Sequence, residues 1–138
     1  MSNDYARRIF DTELELKAAG LLAATTSGSI LDLGEGLVDG EIVIDLTACE
    51  IATGDEIYTV SLEMSNVVGM ATGSSCAAKK VFGNLVIPMD GAIDAAGRYI
   101  LPFRNEEAGV TFQYVRLHTL VAGTIATGIN YSAFLAKR

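Results

Sequence analysis

The chain has 138 residues, half of them apolar, and a formal net charge of −7 at pH 7. This length fits one domain of the commonest size, and the apolar content argues against a largely disordered chain. A pI near 4.5 argues against a nucleic-acid partner, because such binding depends on neutralising phosphates. No apolar run reaches the ~20 residues of a membrane-spanning helix, and the N-terminus lacks the apolar segment of a secretory signal. We therefore expect a protein made in a cytoplasm, with neither membrane nor nucleic acid as a partner.

Residues 1–12 are predicted to form an N-terminal arm in front of a single domain that covers residues 13–138. Chain termini are poorly ordered unless they dock on something. The arm carries apolar and cationic side chains, so we expect it to contact a partner or the domain itself. These side chains are Tyr5, Arg7, Arg8, Ile9 and Phe10.

Alternation of apolar and polar residues dominates the rest of the chain, and this pattern is typical of antiparallel strands with one buried face. The clearest strand covers residues 41–46. There Ile42, Ile44 and Leu46 are expected in the core, and Val43 is expected to be partly exposed. Residues 65–80, made mostly of small side chains, are expected to form a long loop. Further strands are predicted at 29–33, 57–64, 81–89 and 98–104.

The C-terminal stretch 114–135 is interpreted as a hairpin of two paired strands around a bend of small residues at 122–128. In the first strand, Arg116 and His118 lie on the face opposite the predicted core. Small residues in the bend allow the backbone of another chain to approach closely. Ile125, which is apolar and lies in this bend, is therefore a candidate anchor for a neighbouring subunit.

The whole pattern indicates an all-β protein, because no alternation of strands and helices appears. About eight short strands in one domain favour a jelly-roll-like antiparallel β-sandwich. Periodicity alone leaves an immunoglobulin-like sandwich and a barrel open. The immunoglobulin core also needs a buried Trp, and the chain contains none.

The composition argues against an enzyme. A Ser-His-Asp or Cys-His catalyst would depend on His118, the one histidine, which falls in the middle of a predicted strand. Together with the distant Cys49 and Cys76, it supplies too few ligands for a structural zinc site. The cysteines are expected to be free thiols. A glycosidase with two carboxylates stays open by residue count. We predict no catalytic residues, no cofactor and no metal.

Acidic residues are concentrated in the middle of the chain. No Lys or Arg occurs between Lys17 and Lys79, whereas nine acidic residues fall between positions 32 and 63. Most of this charge is expected to keep the surface soluble. The alternative is that the acidic stretch faces a basic partner.

Short motifs along nearly the whole chain resemble those of the capsid cement (decoration) proteins of tailed phages, in particular those of short-tailed phages that infect Bordetella. The motifs are 11–16 (DTELEL), 30–34 (ILDLG), 114–117 (YVRL), 121–124 (VAGT) and Gly128.

This resemblance implies a jelly-roll homotrimer on the outer capsid surface of a virion, where it bridges neighbouring major capsid proteins and stabilises the shell. It implies no catalytic residues. The alternative is a carbohydrate- or receptor-binding β-sandwich module of a phage tail. The arm is longer and more apolar than the family leads us to expect. Candidate capsid or inter-subunit contacts are Tyr5, Arg7, Arg8, Ile9, Phe10, Arg116, His118 and Ile125.

Overall fold

A computed structural model describes residues 14–71, 75–84 and 92–137. The predicted arm at 1–12, with its five candidate contacts, lies outside the described residues. The regular structure of the described part consists of β-strands, without any α-helix, which confirms the all-β prediction. None of its segments is a helix long and apolar enough to cross a membrane.

The described residues form thirteen strands, and every pair of neighbouring strands is antiparallel. In chain order they are β1 (Glu15–Lys17), β2 (Leu21–Leu22), β3 (Thr26–Ser27), β4 (Leu31–Asp32), β5 (Asp39–Cys49), β6 (Ile57–Ser65), β7 (Ser75–Asn84), β8 (Ala92–Ile93), β9 (Gly97–Arg104), β10 (Glu106–Glu107), β11 (Val110–Thr111), β12 (Tyr114–Ala122) and β13 (Ile129–Lys137).

Two sheets form the sandwich. The first sheet has the order β1-β13-β5-β9, with β2 also on β13, and the second has the order β3-β12-β6-β7-β8, with β4 also on β12. The main pairs are nested in sequence: β1 with β13, β3 and β4 with β12, β5 with β9, and β6 with β7. When this nested hairpin folds over into two sheets, β13 also pairs with β5 and β12 also pairs with β6. That is the jelly-roll arrangement, with eight strand positions, and it confirms the predicted fold.

The predicted C-terminal hairpin is wrong. Strand β12 pairs along its whole length with β6, and β13 pairs with β5, so the two strands lie in different sheets. Residues 122–128 therefore cross from one sheet to the other. Within the core, the hydroxyls of Thr119 and Tyr131 lie 2.6 Å apart and join the two strands across the sandwich.

Two further expectations are corrected. The last six residues of the predicted loop at 65–80 are the start of β7, which pairs with β6 from Ser75 onward. Val43 is fully buried, although it points away from the main core. It packs with Phe134 and Ala136 in a second small cluster on the outer face of the first sheet.

The main core fills the space between the sheets. It is built from the inward residues of the long strands, so the alternation in sequence becomes one buried face per strand. Burying a large apolar side chain contributes roughly 1.5–3 kcal/mol, and these residues therefore carry most of the stability of the scaffold. The largest fully buried side chains of this core are Tyr58, Tyr131 and Phe82.

Candidate protein-binding surface

The structure places Arg116 and His118 on the outer face of the second sheet, as predicted. The Arg116 Nε lies 2.8 Å from Glu63 Oε1 on β6, and both side chains are mostly buried. The His118 Nδ1 lies 3.1 Å from the Ser27 hydroxyl on β3. Both side chains thus have partners on neighbouring strands of their own sheet.

Ile125 is half-buried and packs against the chain's own core. The bend around Ile125 lies close to the backbone of other segments of the same chain. Gly123 and Gly128 adopt left-handed φ angles of 100° and 97°, and an added Cβ would overlap the carbonyl oxygens of Asp55 and Leu22. The close backbone approach that the sequence predicted is therefore made by this same chain, and a second subunit is not needed to explain the small residues.

The two cysteines are free and lie at opposite ends of the sandwich. Cys49 ends β5 and is half-buried, while Cys76 lies near the start of β7 and is exposed. Burial raises the pKa of the Cys49 thiol to about 11, with smaller contributions from Asp94 and Glu56. A thiol with this pKa stays protonated near neutral pH and is a poor nucleophile.

The loops 50–56 and 122–128 form one end of the sandwich, here called the carboxylate end. Glu50 bridges them, because its Oε1 accepts hydrogen bonds from the backbone N–H groups of Ala126, Thr127 and Gly128 at 2.9, 2.9 and 3.0 Å. The Thr127 and Gly128 N–H groups are the main reason that the pKa of Glu50 is lowered.

Glu56 holds the turn before β6 from inside. It is fully buried, and its carboxylate accepts the N–H groups of Thr53 and Gly54 at 3.0 and 2.9 Å and the Asn84 side-chain amide at 3.1 Å. Burial acts to raise the pKa of Glu56, but the backbone and hydroxyl donors outweigh it, so the pKa lies below its ordinary value. Glu56 is therefore a structural anion.

Asp55 completes the carboxylate end. It accepts the Thr124 N–H at 3.0 Å, the Thr124 hydroxyl at 2.9 Å and the Thr53 hydroxyl at 2.8 Å. The Thr124 N–H is the largest cause of its lowered pKa. Nowhere in the described chain do three or more His, Cys, Asp or Glu side chains form a group that could hold a metal ion. The acidic residues of this end hold loops in place.

The opposite end of the sandwich, here called the apolar end, is formed by the loops 33–38, 66–70 and 105–113. It is held together by neutral amides. Asn105 is fully buried; its Oδ1 accepts the Val38 N–H at 2.6 Å, and its Nδ2 donates to the carbonyls of Gly36 and Phe112 at 3.0 and 2.9 Å.

A second asparagine fastens the middle loop of the apolar end. Asn66 donates from Nδ2 to the Thr111 carbonyl at 3.0 Å and accepts the Gln113 N–H at 3.0 Å. The loops are thus fixed relative to one another while their tips point outward. Their exposed large apolar side chains are Leu37 (50% exposed), Val67 (41%), Val68 (77%) and Val110 (47%).

A recess of about 230 Å³ opens among these loops and is lined by residues including Glu35, Asn66 and Gln113. An apolar tip beside an open recess is typical of a protein-binding surface. The sequence held one signal of it, the adjacent Val67 and Val68 in a segment otherwise made of small and polar residues. We did not predict this surface, because the strand pattern says nothing about which loops lie side by side.

Comparison with known proteins assigns no family. No protein-family model matches the chain, and no curated protein sequence matches it. The features that bear on function are the jelly roll, its two unlike ends and the short motifs of the sequence.

Proposed function

We propose that this protein is a structural virion protein that decorates and cements the icosahedral head of a tailed phage. In this proposal it binds as a homotrimer on the outer surface and spans neighbouring major capsid proteins. The observation that carries the proposal is the apolar end, where Leu37, Val67, Val68 and Val110 project from loops that buried amides hold in place.

A cementing protein needs a stiff scaffold and an adhesive surface. The jelly roll supplies the scaffold, since two sheets enclose one continuous core. The loop tips supply apolar contact area, which drives most protein association. A protein that binds the closed shell across subunit seams, and not the separated subunits, stabilises the shell by mass action. The short motifs that resemble those of capsid cement proteins support the same role.

Several side chains that a catalyst could use have structural partners. His118 contacts Ser27, Cys49 is kept protonated by burial, and Glu50 and Glu56 accept backbone N–H groups. This supports a binding protein over a hydrolase.

Trimer formation is supported by the edge of the sandwich at which β1 to β4 lie. Both sheets end there in strands of only two or three residues. Leu21 in β2 and Ile30 beside β4 are exposed there, and Leu120 is exposed on the neighbouring β12. Association through this side would cover backbone groups that otherwise invite uncontrolled pairing.

The test combines solution mass with binding to heads. Light scattering should give three times the chain mass of 14.6 kDa. The purified protein should sediment saturably with phage heads that lack it. A monodisperse monomer that does not bind heads would contradict the proposal. Specific binding to a glycan array by such a monomer would instead support a tail receptor-binding module.

A further inference from the structure

The apolar end carries negative charge around its valines. Its three loops contain no Lys or Arg, and Glu35, Glu106 and Glu107 lie exposed in them. Asp32 is also exposed directly before the first loop, and Glu107 accepts a hydrogen bond from the Ser75 hydroxyl. Arg104, exposed directly before the third loop, is paired with Asp39 at 3.7 Å, so the charge around the apolar tips is mainly negative.

The recess at the apolar end has a carboxylate and amides in its lining. Glu35 contributes to its wall, and the amide side chains of Asn66 and Gln113 lie in its lining. The Gln113 Nε2 donates to Asp32 Oδ1 at 3.0 Å, which places a second carboxylate next to the recess. A cationic side chain that entered here would find carboxylate and amide oxygens as acceptors. Val67 and Val110 are the sequence neighbours of the lining residues Asn66 and Thr111.

We propose that the apolar end docks on a cationic protein surface, and that a Lys or Arg of the partner enters the recess beside Glu35 while Val67 and Val68 pack against apolar residues around it. This inference rests on the proposed function, and the partner is then the major capsid protein. It also gives a role to part of the acidic middle of the sequence.

Charge complementarity selects this occupant over two others. Two copies of this chain docked through the same end would bring Glu35 and Glu106 close to their own counterparts, and like charges across an interface cost several kcal/mol. Nucleic acid does not fit, because its negatively charged phosphates would be repelled by the same carboxylates. A basic partner surface is attracted by the charged rim and gains apolar contact at the centre.

The test measures head binding by cosedimentation with the full-length chain over a range of NaCl concentrations. The double variant Glu35→Lys, Glu106→Lys should bind about tenfold more weakly at low salt, and its binding should depend less on salt than that of the wild type. Asp94→Lys, an exposed charge reversal outside the apolar end, is the matched control and should bind like the wild type.

The apolar half of the inference is tested by Val68→Asp, which should weaken binding by about tenfold or more at every salt concentration. Its matched control is Ala96→Asp, a change at an exposed residue outside the apolar end. If the wild type does not bind heads at all, the proposed function itself fails. If the wild type binds and both apolar-end variants bind like their controls, this inference fails and the decoration role stands.

Discussion

The two ends of the sandwich use polar residues in opposite ways. At the carboxylate end, Glu50, Asp55 and Glu56 accept hydrogen bonds from N–H and hydroxyl groups of the loops at that end. At the apolar end, neutral Asn66 and Asn105 make the bonds that join the loops, while Glu35 and Glu106 lie exposed around the apolar tips. The acidic residues of the two ends therefore differ in role: those of the carboxylate end stabilise the fold, and those of the apolar end shape a surface.

The largest effect is expected at the carboxylate end from Glu56→Leu. This change removes the acceptor for the N–H groups of Thr53 and Gly54 and for the Asn84 amide, and it leaves those donors in a closed site. Buried donors without an acceptor are among the few causes of severe destabilisation. The melting temperature should fall by about 10 °C or more.

Glu106→Leu at the other end is the matched control for Glu56→Leu. Glu106 is exposed, so its replacement should shift the melting temperature by less than about 2 °C. Equal losses for the two variants would show that the two ends do not differ in how they use carboxylates.

The sequence predicted the fold well, because alternation reports directly which face of a strand is buried, as Ile42, Ile44 and Leu46 show. It predicted strand pairing poorly. Residues on β12 and β13 alternate equally well whether the strands are hydrogen-bonded neighbours or, as found, lie in facing sheets. Pairing depends on chain topology, which local patterns do not encode.

The candidate surfaces were harder still to predict. The glycines at 123 and 128 looked like an open contact site, but their space is occupied by the carbonyls of Asp55 and Leu22, which are distant in sequence. Asn105 follows a predicted strand, and nothing in its neighbouring residues indicates burial. Its burial and its bonds to Gly36 and Val38 depend on a loop about 70 positions earlier. Only the assembled fold brings these groups together.

A second, smaller loss of stability is expected from Asn105→Ala at the apolar end. The Val38 N–H and the Gly36 and Phe112 carbonyls would lose their partner, at a cost of about 1–3 kcal/mol for a buried group left unpaired. Thermal unfolding measures the loss. Head binding should weaken as well, because the loops that carry Leu37 and Val110 would no longer be held. Unchanged stability and binding would show that the amide does not fix this surface.

The two ends should also differ in how their residues make stability depend on pH. The pKa values of Glu50, Asp55 and Glu56 are lowered in the folded state from ordinary values of 4.5, 3.8 and 4.5. When the pH lies between the lowered and the ordinary pKa, each group binds more protons in the unfolded than in the folded state. The free energy of unfolding therefore rises with pH in that range. Their contribution is fully present above pH about 5 and is lost as the pH falls through the lowered values.

Melting temperature should therefore decline as the pH is lowered from about 6 to about 3, and Glu50→Gln should flatten part of that decline. Asn105→Ala should run parallel to the wild type, since an amide does not titrate in this range. A profile of Glu50→Gln that parallels the wild type would remove Glu50 from the set of stabilising carboxylates.

The smallest effect on stability is expected from Val68→Ser, and it is the sharpest test of what the apolar end is for. The Val68 side chain is 77% exposed, so folding buries little of it and the melting temperature should change by less than about 2 °C. Val60→Ser is the contrast, because Val60 is fully buried in the core and its loss should cost about 1–3 kcal/mol. If Val68→Ser also destabilises the isolated chain to that extent, the valine tips belong to the fold. If it leaves stability intact and weakens head binding, apolar area is exposed there in order to be covered by a partner.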